Sequence, residues 1–404
     1  MFRRQILLAA AATAATPRLT STAWADDTPG VTATEIRIGN TASYSGPASA
    51  YGIIAKTEAA LFKMVNEQGG VGGRQINYIS LDDGYSPPRT VDQVRRLVEQ
   101  EQVAMMFATI GTPSNTAIFR YTNGKGVPLI FLGSGANKWG DYKATPWVMG
   151  WQPSYRTEAQ IYTTYLKQTK PGGKIGILYQ NDDFGKDYPL GVKDVLGGEY
   201  DTKVKTVSYE VTDATIDSQV LELKNWGADV MLTAATPKFA AQSIRKVAEL
   251  NWKPLHFMTN VSISVGSVIT PAGAENATGL ISAAYLKDPT DATWKDDPGM
   301  NQWRTFMEKY MPGADLTDGG TVFGYGVSYT LWQVLKQCGT DFSRANIMKQ
   351  AANLKDLDVP VLLPGIKVNT SPTNFHPIRQ MQLQKWDGKA WKLFGGVLSG
   401  AGDL

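Results

Sequence analysis

The 404-residue chain is poor in the side chains that build metal and disulfide sites, since it has one cysteine and two histidines. Cys338 has no partner for a disulfide within the chain, and a single thiolate cannot form a zinc cage. His256 and His376 lie far apart in the sequence, which argues against a histidine-based metal site or catalytic triad. We therefore expect neither a metal nor a cofactor.

The chain also lacks an excess of charge of one sign. It has 40 basic and 37 acidic residues, and Arg3, Arg4 and Arg18 are the only charged residues among positions 1–25. Without those positions the two signs balance, so no basic surface for nucleic acid is expected. No apolar run reaches the roughly 18 residues that a membrane-spanning helix needs. A chain of this length usually forms two domains.

Residues 1–25 have the arrangement of a cleaved secretory signal peptide. A pair of arginines precedes an apolar run from Ile6 to Ala15, and Ala23-Trp24-Ala25 supplies the small residues of a cleavage site. The arginine pair also fits a twin-arginine signal, but Sec signals often carry two arginines by chance, and we favour Sec. The chain has no cysteine near the cleavage site that could be lipidated. The mature protein is therefore expected to be free in a periplasm.

Two stretches of the chain repeat the same alternation of strands and helices. In the first, strands are predicted over 35–41, 76–82, 103–109 and 128–132, with helices over 51–67, from 86 onward and over 113–122. In the second, strands are predicted over 174–179, 203–209, 229–234 and 256–259, with helices after 181–185 and over 216–226 and 237–250. Alternating strands and helices form parallel sheets covered on both faces. The sequence therefore predicts an α/β fold with two doubly wound parallel-sheet lobes.

The pattern changes after Gly279. A strand near 280–285 precedes a loop rich in aspartate and proline, and helices are predicted near 300–310, 321–336 and 344–354. A β-hairpin is predicted within 366–391, with Asp387-Gly388 at its turn. A tail too small to form a domain must complete the two lobes, so the chain is expected to cross between them more than once.

The loops at the carboxyl ends of the predicted strands are the expected place for a ligand. Thr112-Pro113 is predicted to begin a helix there, so free N–H groups near Gly111 and Ser114 could hold a carboxylate. Thr112 could equally cap a helix and nothing more. Gly133-Ser134-Gly135 could bring backbone close to a ligand or form a simple turn. Thr236 lies in the corresponding loop of the second stretch.

Catalytic motifs are scarce in this sequence. It has no Gly-x-Ser-x-Gly elbow, no His-Glu-x-x-His and no Cys-x-x-Cys. Asp82-Asp83 and Asp182-Asp183 are adjacent carboxylates at strand ends, where neighbours point to opposite faces. We therefore expect a protein that is not an enzyme. A secreted carboxylate-dependent hydrolase stays as an alternative, and it requires two carboxylates facing each other across a cleft, roughly 5–9.5 Å apart.

Several short motifs follow one another in a characteristic order. They are Ser45-Gly46-Pro47, Tyr51-Gly52, Val65–Gly73, Asp82-Asp83, Val127–Ile130, Asn181–Gly185 and Trp386-Asp387-Gly388. No single motif is specific, but the ordered set covers essentially the whole mature chain. It resembles the leucine/isoleucine/valine-binding proteins, which are periplasmic receptors of ABC importers for hydrophobic and aromatic compounds.

The resemblance implies the type I periplasmic binding protein fold, in which two lobes joined by a three-segment hinge close around a ligand. It places lobe one over 33–152 plus 284–363, and lobe two over 153–283 plus 364–404. It also implies a small-molecule ligand, an ABC importer permease in the inner membrane as partner, and a monomer. A sensor that reports ligand state to a membrane partner would use the same pocket, so the sequence does not separate the two roles.

Matching this sequence to the family's pocket implies a set of contact residues. Tyr51 and Phe184 fall at aromatic walls of lobe one and lobe two, and Phe323 and Tyr325 fall near a further apolar contact. Each of these rings could instead belong to a lobe core. The implied ligand-binding residues are Tyr51, Gly111, Thr112, Ser134, Gly135, Phe184, Thr236, Asn260, Phe323 and Tyr325.

The polar contacts implied by the resemblance differ from the family's pattern. Gly111 and Gly135 stand where the family has hydroxyl residues that hold the ligand's carboxylate, so backbone N–H groups, Thr112 or Ser134 would have to hold it. Asn260 stands where the family has the acid that pairs with an ammonium. An ammonium buried without a carboxylate costs roughly several kcal/mol. A hydrophobic or aromatic carboxylate is therefore favoured as the ligand, with branched-chain amino acids and amides or urea as alternatives.

Overall fold

The computed structural model describes residues 28–400 of the chain, so the expected signal peptide over 1–25 lies outside the described residues. One β-sheet is the centre of the first lobe. Its strands are β1 (Glu35–Ala42), β2 (Gln75–Asp82), β3 (Met105–Phe107), β4 (Leu129–Leu132) and β5 (Val148–Gly150). They pair in parallel in the order β2-β1-β3-β4-β5.

A second sheet is the centre of the other lobe. Its strands are β6 (Ile175–Gln180), β7 (Val204–Tyr209), β8 (Val230–Ala234), β9 (Leu255–Met258), β10 (Ile281–Ala284), β11 (Gln380–Trp386) and β12 (Trp391–Ser399). Their order is β12-β11-β10-β9-β8-β6-β7, and β6 to β10 pair in parallel. The antiparallel hairpin β11–β12 closes one edge and turns at Asp387-Gly388, as predicted, but it begins at Gln380 rather than at Ile366, and β12 extends to Ser399.

Helices cover both faces of each sheet. They are α1 (Gly52–Glu67), α2 (Pro87–Arg95), α3 (Thr112–Gly124), α4 (Tyr155–Thr169), α5 (Asp183–Leu196), α6 (Tyr200–Lys203), α7 (Asp217–Asn225), α8 (Pro237–Glu249), α9 (Thr270–Ala272), α10 (Pro298–Tyr310), α11 (Gly319–Gln337) and α12 (Arg344–Ala351). In β3, Met105 and Phe107 join the core beneath α1 and α11, whereas Met106 joins the core beneath α2 and α3. This alternation buries both faces of the strand and confirms the predicted doubly wound α/β fold.

The sequence pattern did not predict β5 and α4, which carry the chain out of lobe one and into lobe two. Strand β5 has only three residues. Helix α4 is rich in threonine and tyrosine, which are weak helix formers. Its signal is the spacing of Tyr155, Ala159, Tyr162 and Leu166, which are buried on one face against α5 and the second sheet. Tertiary packing therefore stabilises a helix that local propensity does not favour.

The chain passes between the lobes after β5, after β10 and before β11. The sequence places the last of these crossings at 363/364. In the structure Val368 bridges Leu357, and Thr370 exchanges hydrogen bonds with Leu354. These bonds satisfy the backbone of the segment that follows α12, so the chain stays on lobe one until shortly before β11.

Each lobe buries one glutamate on a helix that packs against its sheet. Glu58 on α1 and Glu158 on α4 are both fully buried. Glu58 accepts a hydrogen bond from the Tyr78 hydroxyl through one oxygen, and its other oxygen has no hydrogen-bond partner among residues 28–400. Burial raises the pKa of Glu58 to about 8. Glu158 has several donors around it, and burial raises its pKa to about 7. Near neutral pH, Glu58 is therefore held mainly as the neutral acid.

Replacing Glu58→Gln is expected to flatten the pH dependence of stability. The folded-state pKa of Glu58 is raised above its ordinary value of 4.5, so the folded protein keeps a proton that the unfolded chain loses as pH rises past that value. The free energy of unfolding therefore falls with rising pH up to the folded-state pKa, by at most ~1.4 kcal/mol per pH unit from this group.

Urea denaturation at the acidic and basic ends of this window measures the effect. The wild-type protein should lose more unfolding free energy toward the basic end than Glu58→Gln does. Equal losses in both proteins would show that Glu58 does not keep its proton in the folded state.

Candidate functional site

A cavity of ≈130 Å³ lies between the lobes, where loops from the carboxyl ends of strands in both sheets meet. This is the place where ligands bind in open parallel sheets. The residues that line it include Tyr51, Tyr85, Gly111, Thr112, Gln152, Tyr155, Phe184, Thr236, Asn260, Tyr285, Asp288, Asp318 and Phe323. Both lobes and the crossings between them therefore contribute to one wall.

The first turn of α3 provides backbone donors at this wall. Gly111 is the N-cap of α3 and has φ +96°, and no side chain in the described part of the chain caps the helix. The Gly111 N–H is used by the Gly133 carbonyl at 3.1 Å. Thr112 is the first helical residue and not the cap itself, and its hydroxyl contacts the Ser134 hydroxyl at 2.7 Å. The uncapped N–H groups of the first turn can therefore hold an anion, favoured by the helix dipole.

Aromatic rings form another part of the wall. Tyr51, Phe184 and Phe323 line the cavity, as proposed from the sequence. Phe184 packs on Tyr155 with ring centroids 4.8 Å apart, and Phe323 packs on Trp151 at 5.2 Å. These contacts hold the rings in place, so the cavity offers a fixed apolar surface to a ligand.

Sequence reasoning missed Tyr85 and Tyr155, which also line the cavity. Tyr85 follows β2 in the left-handed region at φ 59°, which is uncommon for a residue with a side chain. The Asp83 carboxylate accepts the Tyr85 N–H at 2.8 Å and stabilises this turn. Tyr155 begins the unpredicted helix α4, so its place could not be inferred. A tyrosine directly after Asp82-Asp83-Gly84 at a strand end was the available signal for Tyr85.

Three proposed contact residues lie behind the wall and not on it. Ser134 is buried, and its hydroxyl accepts the Trp139 indole N–H at 2.7 Å. Gly135 lies beneath Gln152 and Tyr155, and a Cβ on it would meet the Pro153 carbonyl at 2.6 Å. Tyr325 packs against Phe306 with ring centroids 5.2 Å apart. Ser134 and Gly135 therefore support residues that line the cavity, and Tyr325 belongs to the core of lobe one.

Thr236 and Asn260 line the cavity from lobe two, after β8 and β9. The Tyr209 hydroxyl accepts the Thr236 N–H at 3.1 Å, which fixes the start of α8. Asn260 donates its backbone N–H to the buried Glu158 carboxylate at 2.8 Å, and its side-chain Nδ2 also donates to Glu158. The Asn260 amide is therefore held from behind by an acid that the sequence analysis did not identify.

Charged residues also border the cavity. Asp318 caps α11 by accepting the Gly320 N–H at 2.9 Å, and burial raises its pKa. Asp288 lies at the second crossing and accepts the Thr290 N–H at 2.8 Å, and burial raises its pKa as well. Lys287 donates to Asp297 at 2.7 Å and to a backbone carbonyl. The lysine charge is therefore paired, whereas the two aspartates add acceptor groups to the cavity.

Direct contacts between the lobes close the cavity. The Tyr51 hydroxyl of lobe one donates to the Val261 carbonyl of lobe two at 3.1 Å. Lys138 pairs with Asp183 at 2.6 Å. On the other side, the Ser264 hydroxyl donates to Asp318 at 2.9 Å. The structure therefore shows the lobes in a closed arrangement.

The adjacent aspartates have structural roles. Asp82 accepts from Ser45 and Arg89, and hydrogen bonds, led by that of the Ser45 hydroxyl, lower its pKa to about 2 against the opposing effect of burial. Asp83 holds the Tyr85 turn. Asp182 caps α5, and Asp183 pairs with Lys138. None of these four carboxylates is among the described residues that line the cavity, so the pair that a hydrolase would need across the cleft does not form there.

Residues 28–400 contain no group of histidine, cysteine, aspartate and glutamate side chains arranged to hold a metal ion. Burial lowers the pKa of His256 to about 3 and raises that of Cys338 to about 12, so His256 is neutral and Cys338 is a thiol near neutral pH. No helix between residues 28 and 400 combines the length and apolar character needed to span a bilayer.

Known proteins share this architecture. A family model described as periplasmic binding protein matches residues 35–390. The Leu/Ile/Val-binding protein homolog 7 of Brucella suis biovar 1 (strain 1330) is 25% identical over 375 residues, covering 88% of this chain and 90% of that protein.

Solved structures agree with this match. A possible leucine/isoleucine/valine-binding protein from Rhodopirellula baltica SH 1 superposes with a TM-score of 0.80 at 19% identity, covering 92% of this chain and 98% of that chain. A branched chain amino acid ABC transporter from Thermus thermophilus with bound valine superposes with a TM-score of 0.79 at 14% identity, covering 91% and 97%.

These likenesses confirm the resemblance inferred from the ordered motifs and the type I fold that it implied. The family consists of solute-binding receptors, not enzymes, which bind small molecules and deliver them to ABC transporters. Because the family model matches most of its length, this chain belongs to the periplasmic binding protein family.

Proposed function

We propose that this receptor captures a small hydrophobic or aromatic carboxylate between its lobes and delivers it to the permease of an ABC importer. The observation that carries the proposal is the uncapped first turn of α3 at the wall of an aromatic cavity. The expected signal peptide over 1–25 and a monomeric state in the periplasm belong to the same proposal.

The carboxylate is assigned to the N-terminus of α3. The first-turn N–H groups there have no capping side chain, and Thr112 adds a hydroxyl. A carboxylate at a helix N-terminus gains roughly 0.3–2 kcal/mol from the helix dipole in addition to its hydrogen bonds. The only cation on the cavity wall among the described residues, Lys287, is already paired with Asp297. Backbone donors are therefore the better anion site.

The apolar body of the ligand is assigned to the space between Tyr51, Tyr85, Tyr155, Phe184 and Phe323. A cavity of ≈130 Å³ is close in size to apolar cavities of ~150 Å³ that hold one benzene molecule. One phenyl or branched aliphatic group therefore fits in the closed arrangement.

A hydrophobic α-amino acid is the second candidate ligand. The carboxylates of Asp288 and Asp318 border the cavity, and a carboxylate can offset the cost of burying an ammonium. The homologue from Brucella suis is named a Leu/Ile/Val-binding protein, and the Thermus thermophilus structure has bound valine. Both candidates share the carboxylate, which makes the carboxylate the first feature to test.

Calorimetric titration of refolded, ligand-free protein tests the proposal. The ligands are leucine, benzoate and 4-hydroxycinnamate, each beside its uncharged carboxamide. At least one carboxylate should bind, and its carboxamide should bind at least ~100-fold more weakly because the charge at the α3 N-terminus is lost. Refolding removes ligand carried through purification. Absence of binding by every carboxylate, or equal binding of acid and amide, would contradict the proposed ligand class.

Gly111→Ala is expected to abolish most ligand binding. A Cβ at this position would lie 2.5 Å from the Tyr85 ring, so the ring must move, and it borders the ligand space. The matched control is Gly69→Ala, because Gly69 has nearly the same backbone, φ +99° against φ +96°, but nothing within 4 Å of an added Cβ.

Both variants should lose on the order of 1 kcal/mol of stability from an alanine forced to positive φ. Gly111→Ala should lose more than Gly69→Ala, because the buried Tyr85 ring must also move. Only Gly111→Ala should lose affinity, by ~10-fold or more in the same titration. Wild-type affinity in Gly111→Ala would remove Tyr85 and the α3 N-terminus from the site.

A further inference from the structure

Glu158 lies behind the cavity wall and is surrounded by hydrogen-bond donors. Its Oε1 accepts the Asn260 backbone N–H at 2.8 Å, and its Oε2 accepts the Asn260 side-chain Nδ2. The hydroxyls of Tyr162 and Tyr188 lie 2.5 Å and 2.9 Å from the same carboxylate. Glu158 itself is fully buried and is not among the cavity-lining residues. Of the hydrogen-bond partners of Glu158 among residues 28–400, Asn260 is the one that lines the cavity.

The carboxylate decides which end of the Asn260 amide faces the ligand. All four groups around Glu158 donate to it. A carboxylate that accepts at both oxygens binds the NH₂ end of an amide and turns the carbonyl end away. Asn260 borders the cavity. Within residues 28–400 its Oδ1 has no hydrogen-bond partner. This oxygen is not among the unpaired polar atoms that are buried, so it remains accessible. The group that Asn260 offers to the cavity is therefore an acceptor, not a donor.

Asp288 and Asp318 also border the cavity and accept hydrogen bonds from their own loops. Backbone N–H donors lie on another part of the wall, at the uncapped first turn of α3. A buried acceptor without a donor costs roughly 1–3 kcal/mol when a ligand excludes water. A ligand with only a carboxylate and an apolar body would leave Asn260 Oδ1 unsatisfied in this way.

We infer that Glu158 is a positioning residue that sets ligand specificity by holding the Asn260 carbonyl toward the cavity, so that the ligand must carry an N–H or O–H donor besides its carboxylate. The ligand class is thereby narrowed to hydrophobic α-amino, α-hydroxy or related donor-bearing acids. The inference rests on the proposed function, because the carboxylate at α3 sets the orientation of the ligand.

Isosteric ligands test the requirement for a donor. Leucine carries an ammonium, 2-hydroxy-4-methylpentanoate a hydroxyl, and 4-methylpentanoate no donor in addition to the same carboxylate and side chain. Phenylalanine, 3-phenyllactate and 3-phenylpropanoate form the same series with an aromatic body. In calorimetric titration of the refolded protein, the donor-bearing members of at least one series should bind ~10-fold or more tightly than the donor-free member.

The variant Glu158→Gln tests the role of the carboxylate. The introduced side-chain amide can donate to Asn260, so the Asn260 amide can turn and offer its NH₂ end to the cavity. The preference for the hydroxy acid over the donor-free acid should then fall by ~10-fold or more. The hydroxy acid is the decisive ligand because its hydroxyl donor carries no charge. Loss of the Glu158 charge would by itself weaken the binding of an ammonium, but not that of a hydroxyl. The matched control is Glu58→Gln, which makes the same substitution at the fully buried glutamate of the opposite lobe and should leave the preference unchanged.

Asn260→Ala keeps the inference testable should Glu158→Gln not fold. It removes the acceptor, so donor-bearing acids should weaken by ~10-fold while the donor-free acid keeps its affinity. Equal affinities within both ligand series in the wild-type protein, or an unchanged preference in Glu158→Gln or Asn260→Ala, would overturn the inference while leaving the carboxylate receptor in place. Absence of binding by all six acids would overturn the proposed function itself, and this inference with it.

Discussion

Parallel strand pairing is the constraint on which the rest of this structure depends. Each parallel connection returns the chain through a helix, so every helix that follows a strand begins at the carboxyl edge of its sheet. In both lobes that edge faces the cleft, which brings the starts of α3, α5 and α8 to one cavity. The binding site is therefore made of helix N-termini and short loops whose places are determined by sheet topology.

The two buried glutamates show how hydrogen bonds change the effect of burial on an acid. Glu58 and Glu158 are buried to the same extent, yet Glu58 has one donor and an unpaired oxygen, whereas Glu158 has donors at both oxygens. Hydrogen bonds to the ionised form offset the cost of desolvation, so the pKa of Glu158 is raised less than that of Glu58. Glu58 is therefore buried in lobe one mainly as a neutral acid, whereas Glu158 accepts hydrogen bonds and orients the Asn260 amide at the cavity wall.

The residues of the cavity could be inferred from the sequence where a loop directly follows a predicted strand. Gly111, Thr112, Phe184 and Thr236 are such residues, and all line the cavity. Ser134 and Gly135 also follow a strand but do not line the cavity. Gly135 lies beneath Gln152 and Tyr155, because the first crossing between the lobes covers it. No strand–helix pattern locates that crossing.

The sequence by itself determined the alternation of strands and helices, the two lobes and the family, because these depend on local periodicity and on motifs in a fixed order. Only the tertiary structure decided the chemistry of the wall. Asn260 reads from the sequence as a replacement for an acid, but the fold places Glu158 behind it, 102 positions away in the chain. Such a pairing leaves no local pattern, because the packing of α4 against the second sheet creates it.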